Sequence, residues 1–228
     1  MAKDNSYYDS DSEVLDNIQG ITNVKELFEV ERELVSYRLV ELSDKPIKGS
    51  FTLEHLKKIH AYLFQDIYAW AGNLRTCNIS KNGVLFCARE FLLSSAATIF
   101  GSLQEKNLFV QYSYDEKLVD LVKLFADINA LHPFREGNGR TQRLFIEWLA
   151  KVNGIRLDLT KVPRPNMIYA SYEGMKCNYK YLYDLFKEHS YKLSRSVQLN
   201  NIEALLVPES KKIVLNLLDN GPQKRLNL

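Results

Sequence analysis

The sequence is poor in cysteine, in net charge and in long hydrophobic runs, and each shortage excludes a class of protein. Its cysteines are few, widely spaced and without a CxxC pair, a pattern typical of reduced thiols: Cys77, Cys87 and Cys177. The 30 basic and 28 acidic residues leave a formal charge of only +2, which does not favour nucleic acid as a partner. No apolar run approaches the ~20 residues of a membrane-spanning helix. Residues 1–13 are too acidic and polar for a secretory signal. These absences predict a cytoplasmic protein that neither spans a membrane nor binds nucleic acid directly.

What the sequence does contain is a hydrophobic fraction of 46% in 228 residues, enough for one globular domain with a core. Apolar residues recur at helical spacing in most segments. Asn23 and Thr52 stand where helix caps are expected, and a helix is predicted from Leu92 to Glu105. We interpret residues 1–22 as an N-terminal arm and 23–193 as the main domain. Residues 194–228 are predicted to form a helical tail, which either packs on the body or offers a partner surface.

The first predicted helix and the last helical segment of the main domain carry two further expectations. The apolar stripe of the first helix is expected to contain Leu27, Val30, Leu34 and Tyr37, widened by Phe28. The tyrosine-rich stretch 166–186 is expected to be helical, and its aromatic residues are expected to pack mainly into the core, with the lining of an adenine pocket as the alternative.

The segment from about 75 to 89 has a different local pattern, because Asn82-Gly83 lies between two short runs with strand-forming residues. Asn-Gly between such runs is the strongest local signal for a β-hairpin. One interpretation is a plain structural hairpin. The other is a flap whose unpaired edges align an extended segment of a second protein by strand addition.

The stretch from 132 to 143 combines a loop with the start of a helix in a way that favours anion binding. Pro133 makes it unlikely that the preceding helix continues, and Gly137 and Gly139 allow the backbone to approach a ligand closely. A glycine-rich loop that opens a helix directs free N–H groups and the positive end of the helix dipole at the same point. Arg140 and Arg143 lie three residues apart and share a helix face, which suits a polyphosphate better than a single phosphate.

Two more side chains of the same stretch are candidates for metal binding and proton transfer. Glu136 is a lone carboxylate beside the predicted phosphate site, where Mg²⁺ needs few protein ligands. His132 could accept a proton from an attacking hydroxyl. A histidine and a glutamate four residues apart would also suit zinc on one helix face, but Pro133 and the glycines interrupt that helix. Each feature alone has an ordinary explanation, and Gly-Asn-Gly by itself is most often a turn. Their order within twelve residues favours the functional interpretation.

The run HPFREGNGRTQR at 132–143 fills every specified position of the pattern HPFx[D/E]GNGRxxR. This pattern is the signature of the Fic family (filamentation induced by cAMP), and the chain resembles that family from about Tyr7 to Phe186. Its N-terminal part is similar to bacterial cell-filamentation-type members. The resemblance implies an all-α fold, a helical bundle around a helix–loop–helix catalytic core, with a small β-hairpin flap. It also implies transfer of AMP from ATP to a Tyr, Thr or Ser hydroxyl of a target protein.

The resemblance also implies a role for each residue of the motif. His132 would be the general base, Glu136 the Mg²⁺ ligand, Arg140 and Arg143 the holders of the β- and γ-phosphates, and Gly137, Asn138 and Gly139 the anion hole. The hairpin would dock the target, with backbone contacts near Ile79 and Ser80. A kinase-like relative would carry lysine at the second glycine, so Gly139 argues against that activity. Transfer of UMP or phosphocholine, or a catalytically silent nucleotide-binding module, stays open.

The family is commonly inhibited by a helix with the pattern [S/T]xxxE[G/N], whose glutamate blocks the γ-phosphate arginine. The run Ser12 to Asn17 has Asp16 at the glutamate position, and the run Ser196 to Asn201 has Asn200 there. Neither run can supply the glutamate. The sequence therefore predicts a toxin-like enzyme that is controlled by a separate small antitoxin-like protein, which would bring a glutamate to Arg143.

Overall fold

A computed structural model describes residues 14–81 and 83–221 of the chain, and within these ranges the fold is mostly helical. The helices are α1 (Val24–Asp44), α2 (Leu53–Phe64), α3 (Leu92–Glu105), α4 (Tyr114–Leu131), α5 (Asn138–Val152), α6 (Arg164–Met175), α7 (Lys180–Glu188), α8 (Arg195–Leu205) and α9 (Pro208–Asp219). The strands are β1 (Ser80–Lys81), β2 (Val84–Leu85), β3 (Ile155–Leu157) and β4 (Ser190–Lys192). This confirms the predicted helical bundle with a small hairpin.

Helices α4 and α5 form the centre of the bundle. They pack against each other, while α4 also packs on α3, α6 and α7, and α5 on α2 and α8. Helix α4 begins with a capping box in which the Ser113 hydroxyl accepts from the Glu116 N–H and the Glu116 carboxylate accepts from the Ser113 N–H. Its apolar residues are buried on almost every side, because other helices surround it: Leu118, Leu121, Val122, Leu124, Phe125, Ile128 and Leu131. The pair is thus a rigid base for the segment that joins the two helices.

Local capping chemistry accounts for several helix starts. The Asn23 side chain accepts from the N–H groups of Lys25 and Glu26, and Thr52 Oγ1 accepts from the His55 N–H at 3.4 Å. Helix α3 spans the predicted range from Leu92 to Glu105. The stretch 166–186 is helical as predicted, but its tyrosines do not pack mainly into the core: Tyr169, Tyr172 and Tyr181 are 50%, 40% and 40% exposed. The helical stretch is interrupted at Cys177, which adopts φ 63° and separates α6 from α7. The break lets α7 turn back onto α6, where a Cβ on Gly174 would lie 2.6 Å from Leu182.

The predicted apolar stripe of α1 was also wrong in part. The buried residues of this helix are Leu27, Glu31, Val35 and Leu42, whereas Phe28 and Tyr37 are 53% and 61% exposed. Glu31 lies on the buried face of α1, because its carboxylate forms an ion pair with Arg140 of α5. A search for apolar periodicity therefore selects a face that is rotated away from the true one.

Helix α8 of the C-terminal segment packs on the body of the domain. The Gln198 amide donates to the Val152 carbonyl at 2.9 Å, and Ile202 and Leu205 of α8 are buried. Strands β3 and β4 form a second antiparallel pair that the sequence did not predict. The boundary between 193 and 194 stays a prediction. Residues 1–13 of the predicted arm and 222–228 of the tail lie outside the described residues.

In the described ranges, no helix combines the length and the apolar character that crossing a membrane would require.

Candidate active site

The segment between α4 and α5 brings the predicted site residues together. Helix α4 ends at Leu131, and His132 follows as its C-cap in the left-handed conformation, with φ 46° and ψ 61°. The His132 N–H still donates to the Ile128 carbonyl at 3.0 Å, so this residue is fixed to the end of the helix. The chain then reverses through a short loop and enters α5 at Asn138. Both ends of the loop are therefore anchored in buried helices.

The imidazole of His132 is held in one tautomer. Its Nδ1 lies 3.1 Å from the Asn129 carbonyl oxygen, and because a carbonyl only accepts, Nδ1 carries the proton. Nε2 thus presents a lone pair. Burial lowers the pKa of His132 to about 4, and the positive charges of Lys81 and Arg75 act in the same direction, against Glu136 and the carbonyl contact. The ring is therefore neutral at physiological pH and can accept a proton.

Arg75 is a buried residue near this histidine that the sequence analysis missed. Its guanidinium donates to carbonyls at both ends of the flap, those of Cys77 at 2.6 Å and of Cys87. It also donates to the His132 carbonyl at 2.8 Å and the Leu131 carbonyl at 3.3 Å. A cation at the C-terminus of a helix is favoured by the helix dipole. Arg75 therefore fastens the base of the flap to the end of α4.

The start of α5 provides backbone donors without a side-chain cap. Gly137 is the N-cap, with φ 82°, and within the described ranges no side chain caps this helix. The Gly137 N–H donates to its neighbour Glu136 at 2.8 Å. The N–H groups of Asn138, Gly139 and Arg140 belong to the first helical turn, which has no intrahelical acceptors. This arrangement is suited to an anion.

The loop that precedes α5 is closed by its own side chains. Asn138 accepts from the Phe134 N–H at 2.9 Å and donates to the Phe134 carbonyl at 2.7 Å, so its side chain braces the loop and only its backbone N–H is open to an anion. His60 of α2 donates from Nε2 to the Glu136 carbonyl at 2.9 Å and accepts at Nδ1 from the Gly72 N–H at 2.8 Å. Its ring stacks on Phe134 at 3.8 Å. The hydrogen bond from Gly72 needs a lone pair on Nδ1, so this buried His60 is neutral.

The two arginines of the motif have different surroundings. Arg140 donates to Glu31 of α1 at 2.5 Å, and the other oxygen of Glu31 accepts from the Tyr68 hydroxyl. Arg143 has no hydrogen bond or ion pair to any residue of the described chain. Burial lowers the pKa of its guanidinium, and Arg140 and Arg164 act in the same direction, against the negative charge of Glu147. One guanidinium is thus already held, and the other is available to an anion. No pattern in the sequence indicates that Glu31 and Tyr68 lie at this site.

Glu136 is placed where a magnesium ion bound to phosphates could use it. Its side chain is 44% exposed, next to the first turn of α5. The described residues contain no group of three or more His, Cys, Asp or Glu side chains that could hold a metal. A single carboxylate fits Mg²⁺, which takes its remaining ligands from phosphate and water, and does not fit zinc.

The flap residues named from the sequence lie on the predicted hairpin. Ser80 pairs with Leu85 across the two strands, and the Phe86 N–H donates to the Ile79 carbonyl at 3.3 Å. Ser80 is exposed and Ile79 is half-buried. Asn82, the first residue of the predicted turn, lies outside the described residues, and Gly83 beside it has φ 76°.

We predict that Gly137→Ala will destabilise the protein by about 3 kcal/mol, because two costs coincide. The residue has φ 82°, and a Cβ there would lie 2.3 Å from the Phe64 ring. The measurement is urea unfolding, with Gly139→Ala as the control, since that Cβ would meet only the end of Arg143 at 3.3 Å. A Gly137→Ala protein as stable as the control would contradict this account of the loop.

We also predict that the protein loses stability as the pH falls below about 6.5. Burial lowers the pKa of His60 from 6.5 to about 4, so the unfolded chain binds the proton more tightly than the folded one. The stabilisation is complete above the unfolded pKa and is lost as the pH falls toward the folded pKa. For His60 alone this amounts to about 2 kcal/mol at about pH 5. Urea unfolding above about pH 6.5 and at about pH 5 measures this loss of stability. His60→Gln should reduce the pH dependence of the free energy of unfolding. A pH-independent free energy of unfolding would refute the assignment.

Comparisons with known proteins give a consistent result. A family model described as "Fic/DOC family" matches residues 50–150. The chain is 38% identical over 168 residues to "Protein adenylyltransferase VbhT" of Bartonella schoenbuchensis, a match that covers 74% of this chain and 35% of that protein. It is 35% identical over 151 residues to "Probable protein adenylyltransferase y4lH" of Sinorhizobium fredii, covering 65% of this chain and 77% of that protein. The matched region is thus about a third of the length of the Bartonella relative.

A solved structure supports the same relationship. The N-terminal Fic domain of a Bep effector protein from Bartonella quintana, crystallised with bound ADP, superposes with a TM-score of 0.79 at 28% identity. The match covers 85% of this chain and 97% of that one.

Proposed function

This chain belongs to the Fic/DOC family, and from that premise we propose that it is a protein adenylyltransferase, which transfers AMP from ATP to a Tyr, Thr or Ser hydroxyl of a target protein. The observation that carries the proposal is the conjunction of three features at one loop. Residues 132–143 contain a neutral imidazole with an open Nε2, a helix start with open N–H groups, and a half-buried guanidinium that has no hydrogen bond or ion pair within the described residues.

Each residue of the motif has a separate role in the proposed reaction. The N–H groups of Asn138, Gly139 and Arg140 and the side chains of Arg140 and Arg143 would hold the polyphosphate of ATP. The target oxygen attacks the α-phosphorus and forms a new P–O bond, while the bond from that phosphorus to the bridging oxygen breaks and pyrophosphate leaves. His132 would take the hydroxyl proton on Nε2. The guanidiniums would stabilise the negative charge on the leaving pyrophosphate.

Glu136 would be the protein ligand of Mg²⁺, together with phosphate oxygens and water. When bound, the ion neutralises charge on the phosphates that it contacts. The flap would hold the target as an extended segment, with backbone contacts at Ile79 and Ser80. The two-residue strands β1 and β2 leave room for such an addition at the edge of the hairpin.

We place this activity in the cytoplasm, where ATP is available. The three cysteines, Cys77, Cys87 and Cys177, are all free thiols, which fits a reducing compartment.

Arg143, which has no ion pair among the residues that the structure describes, supports control by a separate protein. An antitoxin-like partner that inserts a glutamate beside Arg143 would gain a charge-assisted hydrogen bond and exclude the γ-phosphate. Titrating the enzyme with the product of a neighbouring gene should abolish labelling, and Arg143→Ala should weaken the complex. Labelling that no such product represses would contradict this part of the proposal.

The activity is tested by incubating the purified protein with a bacterial lysate and ATP that is labelled in either the α- or the γ-phosphate. Protein-bound label is expected from the α-phosphate alone, and mass spectrometry of the modified residue should show an AMP group. Label from the γ-phosphate would indicate a kinase. If UTP or CDP-choline labels the target in place of ATP, the transferred group is UMP or phosphocholine. Nucleotide binding without any transfer would indicate a silent binding module.

A further inference from the structure

The ring of Phe86, the residue that follows β2, lies flat against the imidazole of His132. The two ring centroids are 3.7 Å apart, and the planes differ by 17°. Stacked rings at this distance restrict each other's rotation, and such pairs add about 0.5–1.5 kcal/mol beyond simple burial. The contact joins the flap directly to the proposed proton acceptor of the site.

The backbone on both sides of Phe86 is fixed, so this stacking follows from the architecture of the flap base. The Phe86 N–H donates to the Ile79 carbonyl at 3.3 Å, and the Cys87 N–H donates to the Ala130 carbonyl of α4 at 2.9 Å. Arg75 binds the Cys87 carbonyl as well as the carbonyl of His132. The flap and the catalytic loop thus share one set of buried hydrogen bonds at the position where the two rings meet.

We propose that Phe86 is a positioning residue, whose ring holds the imidazole of His132 in the orientation that presents Nε2 to an incoming hydroxyl. The kinetic part of this inference rests on the proposed function. With Nδ1 bound to the Asn129 carbonyl and one face covered by Phe86, the imidazole has few ways to turn. A displacement of the flap would therefore change the alignment of the base.

The charged groups around the imidazole have a separate effect. Arg75 at the flap base and Lys81 on β1 favour the neutral ring, and Glu136 in the loop favours the charged ring. Phe86 carries no charge, so its replacement should alter orientation and water access while these charges stay in place. This difference allows the contribution of the ring to be measured.

The test compares three variants in the full chain. Phe86→Leu removes the aromatic plane but keeps an apolar side chain, and Phe86→Tyr keeps the plane. Phe91→Leu makes the same chemical change at an exposed phenylalanine at the end of the short 3-10 turn before α3. We expect Phe86→Leu to reduce kcat for AMP transfer by about tenfold with the Kd of ATP unchanged, whereas Phe86→Tyr and Phe91→Leu should resemble the wild type.

The spectroscopic measurement does not depend on enzymatic activity. Among the four histidines, the imidazole NMR signals of His132 are identified by their absence in His132→Asn. In the wild type we expect ring-current shifts to high field and an Nδ1–H tautomer, and in Phe86→Leu we expect the ring-current shift to disappear. A wild type that transfers no AMP but shows these signals would refute the proposed function and support the positioning role. If Phe86→Leu changes neither the His132 imidazole signals nor kcat, the positioning role of Phe86 is wrong. The role is also wrong if Phe86→Leu loses thermal stability and ATP affinity together while those signals stay unchanged.

Discussion

Replacing His132 with alanine is expected to reduce the transfer of AMP to a target protein by about 10²–10⁴-fold, the usual contribution of a general base. The reason is that Nε2 of this imidazole is the proton acceptor of the proposed site, and its bound Nδ1–H fixes that tautomer. The affinity for ATP should stay nearly unchanged, because the phosphates are held by α5 and its arginines. The measurement is initial rates of labelling with α-labelled ATP, together with calorimetric titration of a non-hydrolysable ATP analogue.

The matched control is His189→Ala, which removes a histidine at the C-cap of α7, outside the loop from 132 to 137. This variant should label its target at the wild-type rate. Undiminished α-phosphate labelling by His132→Ala would show that another group, or the substrate itself, accepts the proton. A His132→Ala protein that also loses ATP affinity would show that the histidine binds the nucleotide.

Replacing Arg143 with alanine is expected to weaken binding of an ATP analogue by about 10²-fold, since charge-assisted hydrogen bonds to phosphate contribute about 1.5–3 kcal/mol each. The same variant should be as stable as the wild type or slightly more stable. Its guanidinium is partly buried without a hydrogen bond or ion pair in the described chain, and the cost of burying this charge outweighs its attraction to Glu147. Nucleotide titration and urea unfolding measure the two effects.

The contrasting variant is Arg140→Ala. It should also weaken nucleotide binding, but it removes the partner of a buried carboxylate, because Glu31 is only 5% exposed. We expect a loss of stability of about 2 kcal/mol, somewhat below the usual cost of a stranded buried charge because Arg140 is partly exposed. Adding Glu31→Gln to Arg140→Ala should restore most of the lost stability. Arg156→Ala, at an exposed arginine on β3, is the control for removing one positive charge. Equal stability losses for Arg140→Ala and Arg143→Ala would contradict the different surroundings of the two residues.

Features that depend on neighbouring residues could be predicted from the order of the amino acids. The caps at Asn23 and Thr52, the span of α3 and the hairpin around Gly83 follow from short-range hydrogen bonding and allowed φ values, which a local pattern records. The motif at 132–143 is of the same kind, because its chemistry lies within twelve consecutive residues. Its order alone indicated an anion site at the start of a helix, and the family to which the chain belongs.

The other side chains around that motif are brought there by the packing of the helices. Glu31 meets Arg140 across 109 positions of the chain, and Arg75 meets the His132 carbonyl across 57. In sequence both are ordinary charged residues, since nothing local distinguishes a buried ion pair from a solvated one. The stacking of Phe86 on His132 and the pairing of β3 with β4 likewise depend on how the intervening helices pack. Contacts that depend on tertiary packing produce no periodic pattern in the sequence. The loop could therefore be predicted from the sequence, whereas the residues that hold it in place could not.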